Sequence, residues 1–164
     1  MTKRPEPAWA SNSGLVQVEA ASAEQDPSRA VDRVMIAERI ARYGWGYDER
    51  NRELLADCFT VDGVWEGSLM GDEQVGPFEG RDVIVAFLTD FWNVQTDQRR
   101  HIFTNVVVQE LSATTAVAHA YLLLTATSEA AMAPVTNGPY RLVMRKDAGV
   151  WRIARLVAGF DAPF

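Results

Sequence analysis

Residues 99–159 are almost continuously typical of β-strands, and this stretch constrains the fold more than any other. β-branched and aromatic residues dominate four runs in it, and clusters of turn-forming residues separate the runs. The predicted strands are residues 102–108, 115–127, 140–145 and 150–159, and the predicted turns are residues 112–114, 128–138 and 146–149. Strands joined in sequence by short turns pair antiparallel. The second half of the chain therefore predicts an antiparallel meander of long strands.

The segments before this stretch are mostly helical in pattern. Asp26 or Ser28 is the predicted cap of the first helix, which ends near Asp48. Apolar residues recur at helical spacing in three segments, which are residues 31–43, 54–59 and 83–92. The connection between the second and third helices is predicted to contain a turn at 60–63, a short strand at 64–66, and a loop or irregular hairpin at 67–80.

Helices that precede a meander predict an α+β domain, with the helices packed on one face of a curved antiparallel sheet. Residues 29–164 are the predicted single domain. Residues 1–28 lack sustained periodicity and are predicted to be a flexible tail. Within this tail, Trp9 is either an ordinary exposed residue or one that docks on the domain or on a partner subunit.

Charge and cysteine content exclude several classes of function. The 164 residues carry a formal net charge of −6 without a basic patch, so we expect no nucleic-acid partner. No run reaches the roughly 20 apolar residues of a membrane span, and no signal-like apolar run follows the N-terminus. The single cysteine, Cys58, lies among apolar residues and is interpreted as a buried thiol rather than a nucleophile. We therefore expect a soluble, cytoplasmic protein with no membrane partner.

Two glycines interrupt the end of the first predicted helix, where residues 42–48 read Arg-Tyr-Gly-Trp-Gly-Tyr-Asp. A glycine inside a helix costs about 1 kcal/mol relative to alanine. Two glycines so close together indicate that a neighbouring sheet or a ligand lies against the helix backbone. We predict that this helix end directs Tyr43 and Asp48 into a pocket opposite His101.

Three local motifs occur in a recognisable order. They are Arg42-Tyr43 with Tyr47-Asp48, followed by Leu54-Leu55, Phe59 and Asp62-Gly63; then His101-Ile102-Phe103-Thr104-Asn105; then Asp147-Ala148-Gly149-Val150-Trp151-Arg152-Ile153. Together with the order of helices and strands, they resemble the SnoaL-like group of the nuclear-transport-factor-2-like superfamily over residues 29–160. The resemblance implies a cone-shaped α+β barrel, in which a curved antiparallel sheet wraps around N-terminal helices.

The resemblance also implies site residues. In the dehydratase and dehydrochlorinase branches of the superfamily, an Asp on the first helix orients a His on the sheet, and this His removes a proton from the substrate. Asp48 and His101 match these two positions. Tyr43 matches a polar residue near the substrate, and His119 resembles the second pocket histidine of scytalone dehydratase.

The sequence departs from these relatives in two places. Gly44 stands where scytalone dehydratase-like proteins carry a further Asp. Leu156 stands about where the dehydrochlorinase and bile acid dehydratase branches carry an Arg, and Arg155 is one residue earlier. Successive strand residues alternate between faces, so the sequence does not identify the cation of the pocket.

The residue types fit acid–base chemistry. A neutral imidazole accepts a proton near physiological pH, and a carboxylate on its other ring nitrogen fixes the tautomer. Each residue also has a structural interpretation. His101 would be a half-buried strand histidine, His119 a core or interface histidine, Asp48 a helix-ending residue, and Tyr43 and Tyr47 core aromatics on one helix face.

Further predicted substrate-binding residues are Tyr47, Trp65, Phe103, Asn105, Tyr121 and Tyr140. Strand alternation places Phe103 and Asn105 on the same face as His101. Asn105 would bind substrate or satisfy nearby backbone, and the aromatic residues would be core residues as well as walls of the cavity.

The sequence thus predicts a cofactor-independent dehydratase that acts on a hydrophobic, carbonyl-bearing small molecule such as a polyketide, terpenoid or steroid-like compound. His101 would act as base and then as acid, and Tyr43 or His119 would polarise the carbonyl. No metal is expected because the two histidines and one cysteine lack zinc-ligand spacing, and no phosphate-cradling glycine motif predicts a nucleotide cofactor. The alternatives are a polyketide cyclase or ketosteroid-isomerase-like isomerase, and a non-catalytic ligand-binding or accessory domain. We expect a homodimer formed through the open face of the sheet.

Overall fold

The computed structural model describes Val18, Ala20 and residues 27–164. Residues 1–17, 19 and 21–26, which make up most of the predicted flexible tail and include Trp9 and Asp26, lie outside the described residues.

Three α-helices are present where the periodicity predicts them. They are α1 (Ala30–Asp48), α2 (Arg52–Asp57) and α3 (Arg81–Asp90). Short 3₁₀ turns at Pro27–Arg29 and Phe91–Asn93 precede α1 and follow α3. The predicted cap at Ser28 is wrong, because Arg29 holds the N-cap position of α1 and makes no side-chain cap bond. Asn51 does cap α2, and its side chain accepts a hydrogen bond from the Leu54 amide at 3.0 Å.

A six-stranded sheet follows the order β2-β1-β6-β5-β4-β3. The strands are β1 (Phe59–Leu69), β2 (Glu73–Glu79), β3 (Gln98–Gln109), β4 (Thr115–Ser128), β5 (Ala131–Asp147) and β6 (Val150–Phe160). Neighbours pair antiparallel except β1 and β6, which are parallel. The sheet is curved and unclosed, with N-terminal helix packed against it, and this confirms the predicted α+β class and cone-like architecture.

Two predicted breaks in the sheet lie inside strands. The predicted turn at 60–63 belongs to β1, where the pairing with β6 shifts register between Phe59 and Val64. The predicted turn at 128–138 shrinks to Glu129 and Ala130, both with positive φ. β5 runs on through Pro134, and a register shift against β4 between Leu124 and Thr125 places a bulge beside this proline. The tight hairpin predicted at 146–149 is confirmed, since Asp147 pairs with Val150 across it.

The core lies between the helices and the inner face of the sheet. Alternation along β4 shows which face this is, because Ala118, Leu122 and Leu124 are buried whereas Tyr121 and Leu123 are exposed. Buried side chains of α1 and of the inner strand faces form one cluster, and its members include Ile36, Ile40, Tyr43, Leu142, Trp151 and Ile153. Within the described part of the chain, no helix has both the length and the apolar character needed to cross a membrane.

The residues of β3 that face the core have odd numbers in its first half and even numbers in its second half. Thr104 pairs with Tyr121 and Val107 pairs with His119, so two residues of β3 stand opposite one of β4. Asn105, at this bulge, has φ 54°. Such a bulge inserts one residue into the alternation, and the residues beyond it face the opposite way from strict expectation.

Candidate active site

Asp48 and His101 form a two-point contact where the end of α1 meets β3. The carboxylate oxygen Oδ1 lies 2.6 Å from His101 Nδ1, and Oδ2 accepts a bond from the His101 backbone N–H at 2.7 Å. Both side chains are buried, with exposed fractions of 8% for His101 and 6% for Asp48. The side-chain contact between these residues was predicted from the sequence, and the backbone bond was not. With Nδ1 donating to the carboxylate, the ring carries its proton there and presents Nε2 as an acceptor.

The two glycines of α1 make close approaches on different sides. A Cβ atom at Gly44 would lie 3.2 Å from the carbonyl oxygen and 3.3 Å from the Cβ of His101. A Cβ atom at Gly46 would lie 2.8 Å from the backbone nitrogen of Leu55, on α2. The prediction that glycines thin the helix beside the strand histidine therefore holds for Gly44. Gly46 serves the packing of α1 on α2 instead.

An apolar cleft opens beside His101, with a cavity volume of about 40 Å³. Its wall is mostly aromatic and comes from α1, β1, α3 and the sheet. The lining residues are Tyr43, Tyr47, Trp65, Phe87, Leu88, Phe91, Gln95, Arg99, His101, Leu124, Tyr140, Phe160 and Phe164. No hydrogen-bond partner for His101 Nε2 occurs among the described residues, so this nitrogen is available to a molecule in the cleft.

Tyr43 lies at the buried end of the cleft and is 2% exposed. Its hydroxyl accepts a long hydrogen bond from Trp65 Nε1, at 3.4 Å. Burial raises the pKa of Tyr43 well above its ordinary value, so the hydroxyl stays protonated at neutral pH. Tyr43 can therefore donate a hydrogen bond to a ligand, but it cannot act as a base.

Tyr47 packs against the imidazole ring of His101. Its ring centroid lies 4.7 Å from that of His101, and the two planes are tilted by 60°. The Tyr47 hydroxyl exchanges hydrogen bonds with the Gln95 side chain at 3.0 and 3.3 Å. Burial raises the pKa of Tyr47, and burial likewise raises that of Tyr140.

Five predicted site residues thus line the cleft: Tyr43, Tyr47, Trp65, His101 and Tyr140. Phe103 does not line it and packs behind the site, with its ring 5.9 Å from Tyr43 and 5.3 Å from Tyr140.

Three predicted residues lie elsewhere. Asn105 is exposed at the β3 bulge, and the predicted face-sharing with His101 is wrong because the bulge breaks the alternation. Tyr121 is 49% exposed on the outer face. His119 alternates onto that same face of β4, where its Nε2 lies 3.5 Å from Gln109 Nε2. None of the three contributes to the cleft wall.

Sequence reasoning missed the polar residues of the cleft rim. Gln95 and Arg99 both line it, and Arg99 stands two residues before His101 on β3. The signal was present, because residues two apart on a strand share a face. The last strand supplies no cation, since Arg155 points outward to Glu66 at 2.7 Å and Leu156 is fully buried.

Within the described residues, no three His, Cys, Asp or Glu side chains converge as a metal site would require. Cys58 is fully buried, and burial raises the pKa of its thiol to about 11. This burial agrees with its interpretation as a structural thiol.

The fold and the position of the cleft define a nuclear-transport-factor-2-like cone with one buried histidine–carboxylate pair. The family model of the SnoaL-like domain matches residues 28–157, and the chain belongs to the SnoaL-like family. That family includes polyketide cyclases, dehydratases and ring-hydroxylase subunits. No protein of curated function matches the sequence significantly.

Solved structures support the same assignment. A Catenulispora acidiphila protein in complex with S-DNPA is 28% identical, with a TM-score of 0.70 over 80% of this chain and 95% of that one. Aln2 from a Streptomyces species is 21% identical, with a TM-score of 0.67 over 81% of this chain and 91% of that one. An NTF2-like protein with a cystatin-like fold from Novosphingobium aromaticivorans is 20% identical, with a TM-score of 0.65 over 84% of this chain and 92% of that one.

Proposed function

We propose that this protein is a cofactor-independent dehydratase that removes water from a hydrophobic β-hydroxy carbonyl compound. The observation that carries the proposal is that His101, held by Asp48 through Nδ1, lines an aromatic cleft, while its Nε2 has no hydrogen-bond partner among the described residues. The similar Catenulispora acidiphila protein, whose structure is a complex with S-DNPA, supports a ligand-binding role for this fold.

The reaction begins with transfer of a proton from the α-carbon of the substrate to His101 Nε2. Asp48 stabilises the imidazolium that forms, because its carboxylate already accepts the Nδ1–H bond. The pair of electrons left on carbon moves into the carbonyl and gives an enolate. Tyr43 donates its O–H to the enolate oxygen from the buried end of the cleft, where an apolar surrounding strengthens such a bond.

The same histidine completes the reaction. The bond between the β-carbon and its hydroxyl oxygen breaks as the enolate collapses, and His101 Nε2–H protonates the departing hydroxide. Water leaves, a carbon–carbon double bond forms, and the imidazole returns to its neutral state. One shuttle group is sufficient when both transfers occur on the same side of the substrate. The cleft fits this scheme because burial keeps its described tyrosines protonated, whereas the imidazole of His101 lines the cleft and is held at Nδ1 by Asp48.

The test uses a bicyclic β-hydroxy ketone, 4-hydroxy-2-tetralone, which gives 2-naphthol on loss of one water. We expect the wild type to form 2-naphthol and His101→Asn to lose about 100-fold or more of this rate, the usual value of a general base. His119→Asn is the matched control, because it removes the other histidine of the chain from the outer face. An unchanged rate in His101→Asn, or equal losses in both variants, would contradict the proposal. A product with the same mass as the substrate would show that the protein catalyses isomerisation instead of elimination.

A further inference from the structure

Arg99 is placed to hold one end of a ligand while His101 acts on it. The two residues are neighbours on one face of β3, where Arg99 pairs with Ala126 and His101 pairs with Leu124. Positions two apart on a strand are separated by about 6.6 Å, which is close to the width of a fused ring system. Both side chains line the apolar cleft.

Arg99 stands where the cleft meets a polar basin. The basin is lined mostly by polar and charged residues, among them Asp48, Arg50, Gln95, Asp97, Gln98, Arg99 and Glu129. Arg50 lines the basin only, whereas Arg99 lines the basin and the cleft. Tyr47, Gln95 and Arg99 line both spaces. A ligand with its rings in the cleft would therefore present a polar substituent to Arg99 at the rim.

The guanidinium is held in place with part of its donor capacity left over. Its Nε donates to Asp97 Oδ1 at 2.5 Å, and the side chain is only 15% exposed. Among the described residues, none accepts a hydrogen bond from the two terminal nitrogens. A guanidinium fixed in this way can bind a planar carboxylate through two parallel N–H bonds.

Arg99 is also the only permanently charged side chain among the described residues that line the cleft. The other lining residues are aromatic, aliphatic or neutral polar, apart from the titratable His101. A buried carboxylate is stabilised best by a fixed positive charge, and among the described residues that line the cleft Arg99 alone supplies one.

We propose that Arg99 is a specificity-determining residue that binds a carboxylate carried by the substrate. The substrate class is then an aromatic or polycyclic carbonyl compound with an acidic side chain. This inference rests on the proposed function in taking the cleft as the substrate site, but it concerns binding rather than the chemical step.

The experiment measures binding of two probes that differ only in charge, 2-naphthoate and 2-naphthamide, by isothermal titration calorimetry. We expect the wild type to bind the acid more tightly than the amide. Arg99→Gln should weaken binding of 2-naphthoate about 10- to 100-fold, because a charge-assisted bidentate bond is lost, and leave the affinity for 2-naphthamide unchanged. Arg99→Lys should give an intermediate affinity for the acid, because lysine keeps the positive charge but lacks the planar guanidinium that forms two parallel hydrogen bonds.

Arg100→Gln is the matched control, since Arg100 is the next residue on β3 and pairs on the surface with Glu49. It should bind both probes as the wild type does. Three results would overturn the inference: no binding of 2-naphthoate at millimolar concentration, equal affinity of the wild type for acid and amide, or equal weakening of both probes in Arg99→Gln. If Arg99→Gln fails to fold, Arg99→Lys decides between the same outcomes.

The binding test is independent of turnover. Normal, Arg99-dependent binding together with no dehydration would refute the proposed function and leave the carboxylate site standing. Dehydration by a wild-type protein that binds the acid and the amide equally well would refute the carboxylate site and leave the proposed function standing.

Discussion

Gly44 sets how closely α1 approaches His101, because the hydrogen at its Cα occupies the place where any side chain would meet the histidine's own backbone. A Cβ there would lie 3.2 Å from the His101 carbonyl oxygen and 3.4 Å from Phe103 Cε2. The distance to the carbonyl oxygen is shorter than an ordinary contact, so the helix or the strand must move by a few tenths of an ångström to admit a Cβ atom. The 2.6 Å bond between Asp48 and His101 depends on this spacing.

Gly44→Ala should therefore separate stability from activity. Alanine improves helix propensity by about 1 kcal/mol, which offsets the cost of the tight contact, so we expect little net change in the free energy of unfolding. The displaced helix end should lengthen the Asp48–His101 bond and lower kcat. Chemical denaturation and turnover of 4-hydroxy-2-tetralone measure the two effects.

Gly46→Ala is the matched comparison. Its Cβ would meet Leu55 backbone atoms at 2.8 and 3.0 Å, and backbone yields less readily than a flexible side chain. We expect it to destabilise the fold by about 1–3 kcal/mol, the usual cost of overpacking. A Gly46→Ala protein as stable as the wild type would show that α1 and α2 are less rigidly packed than the structure indicates.

Asp48→Asn should change the tautomer of His101. The aspartate accepts two bonds, from the His101 backbone N–H and from Nδ1–H. An asparagine has one oxygen, and if that oxygen keeps the backbone bond, its NH₂ group faces Nδ1 and needs an acceptor there. The ring proton then moves to Nε2, and the base that faces the cleft is lost.

Imidazole ¹⁵N chemical shifts, recorded where the rings are neutral, measure this change. Only two histidines are present, so His119→Asn assigns the spectrum. We expect a protonated Nδ1 in the wild type and a protonated Nε2 in Asp48→Asn, with a loss of turnover of about 100-fold or more. An unchanged tautomer would mean that the asparagine oxygen faces the ring and the backbone bond is sacrificed.

Tyr43→Phe should lower kcat with little change in stability. The hydroxyl accepts only the 3.4 Å bond from Trp65 within the described structure, so its removal leaves one weakly bonded indole N–H. Loss of a hydrogen-bond donor to an enolate oxygen costs about 100-fold in favourable cases. Steady-state kinetics should show this fall in kcat with KM nearly unchanged, and an equal rise in KM with constant kcat would assign Tyr43 to ground-state binding instead.

Asp32→Ala should destabilise the protein in a pH-dependent manner. Asp32 Oδ1 accepts from Lys146 Nζ at 2.7 Å and from Trp151 Nε1 at 2.8 Å, and it ties α1 to the last hairpin. Alanine leaves the buried indole N–H without this acceptor, at a cost of about 1–3 kcal/mol at neutral pH. The bonds from Lys146 and Trp151 lower the pKa of Asp32 below its usual 3.8.

The sign of the pH effect follows from that lowered pKa. The folded carboxylate is stabilised, so its contribution is complete above the unfolded pKa and declines as pH falls below about 3.8. The gap in unfolding free energy between wild type and Asp32→Ala should therefore shrink between pH 5 and pH 3. Asp62→Ala, which removes an exposed pair with Arg145, should cost less than about 1 kcal/mol. A gap that is constant with pH would show that Asp32 acts through packing alone.

The sequence was sufficient for the helices, the meander and the partners of the proposed pair, because these depend on local periodicity and on residue types that few other positions carry. It was insufficient for the sheet register. Pro134 and Gly138 in residues 128–138 indicate a turn locally, but bulged pairing with β4 keeps both in β5. Asn105 was assigned to the site because strict alternation was assumed, whereas the register shift is a property of two strands together.

The position of Arg99 at the rim of the cleft was likewise not predicted from the sequence. Arg99 and Arg100 are adjacent in the sequence, and only strand alternation relative to His101 distinguishes them. The structure separates them, since Arg99 is held inward by Asp97 whereas Arg100 reaches Glu49 at the surface. The predicted homodimer stays a prediction.

The bulge at Asn105 divides β3 into two independently evolvable halves. Before it, Arg99, His101 and Phe103 face inward; beyond it, Val106 and Val108 pack on the core. The extra residue changes which residues face inward on its two sides. An insertion or deletion at this point would therefore reverse the facing of one half of the strand and leave the packing of the other half unchanged. A lineage could thereby exchange the chemistry carried by residues 99–103 while it inherits the hydrophobic half intact.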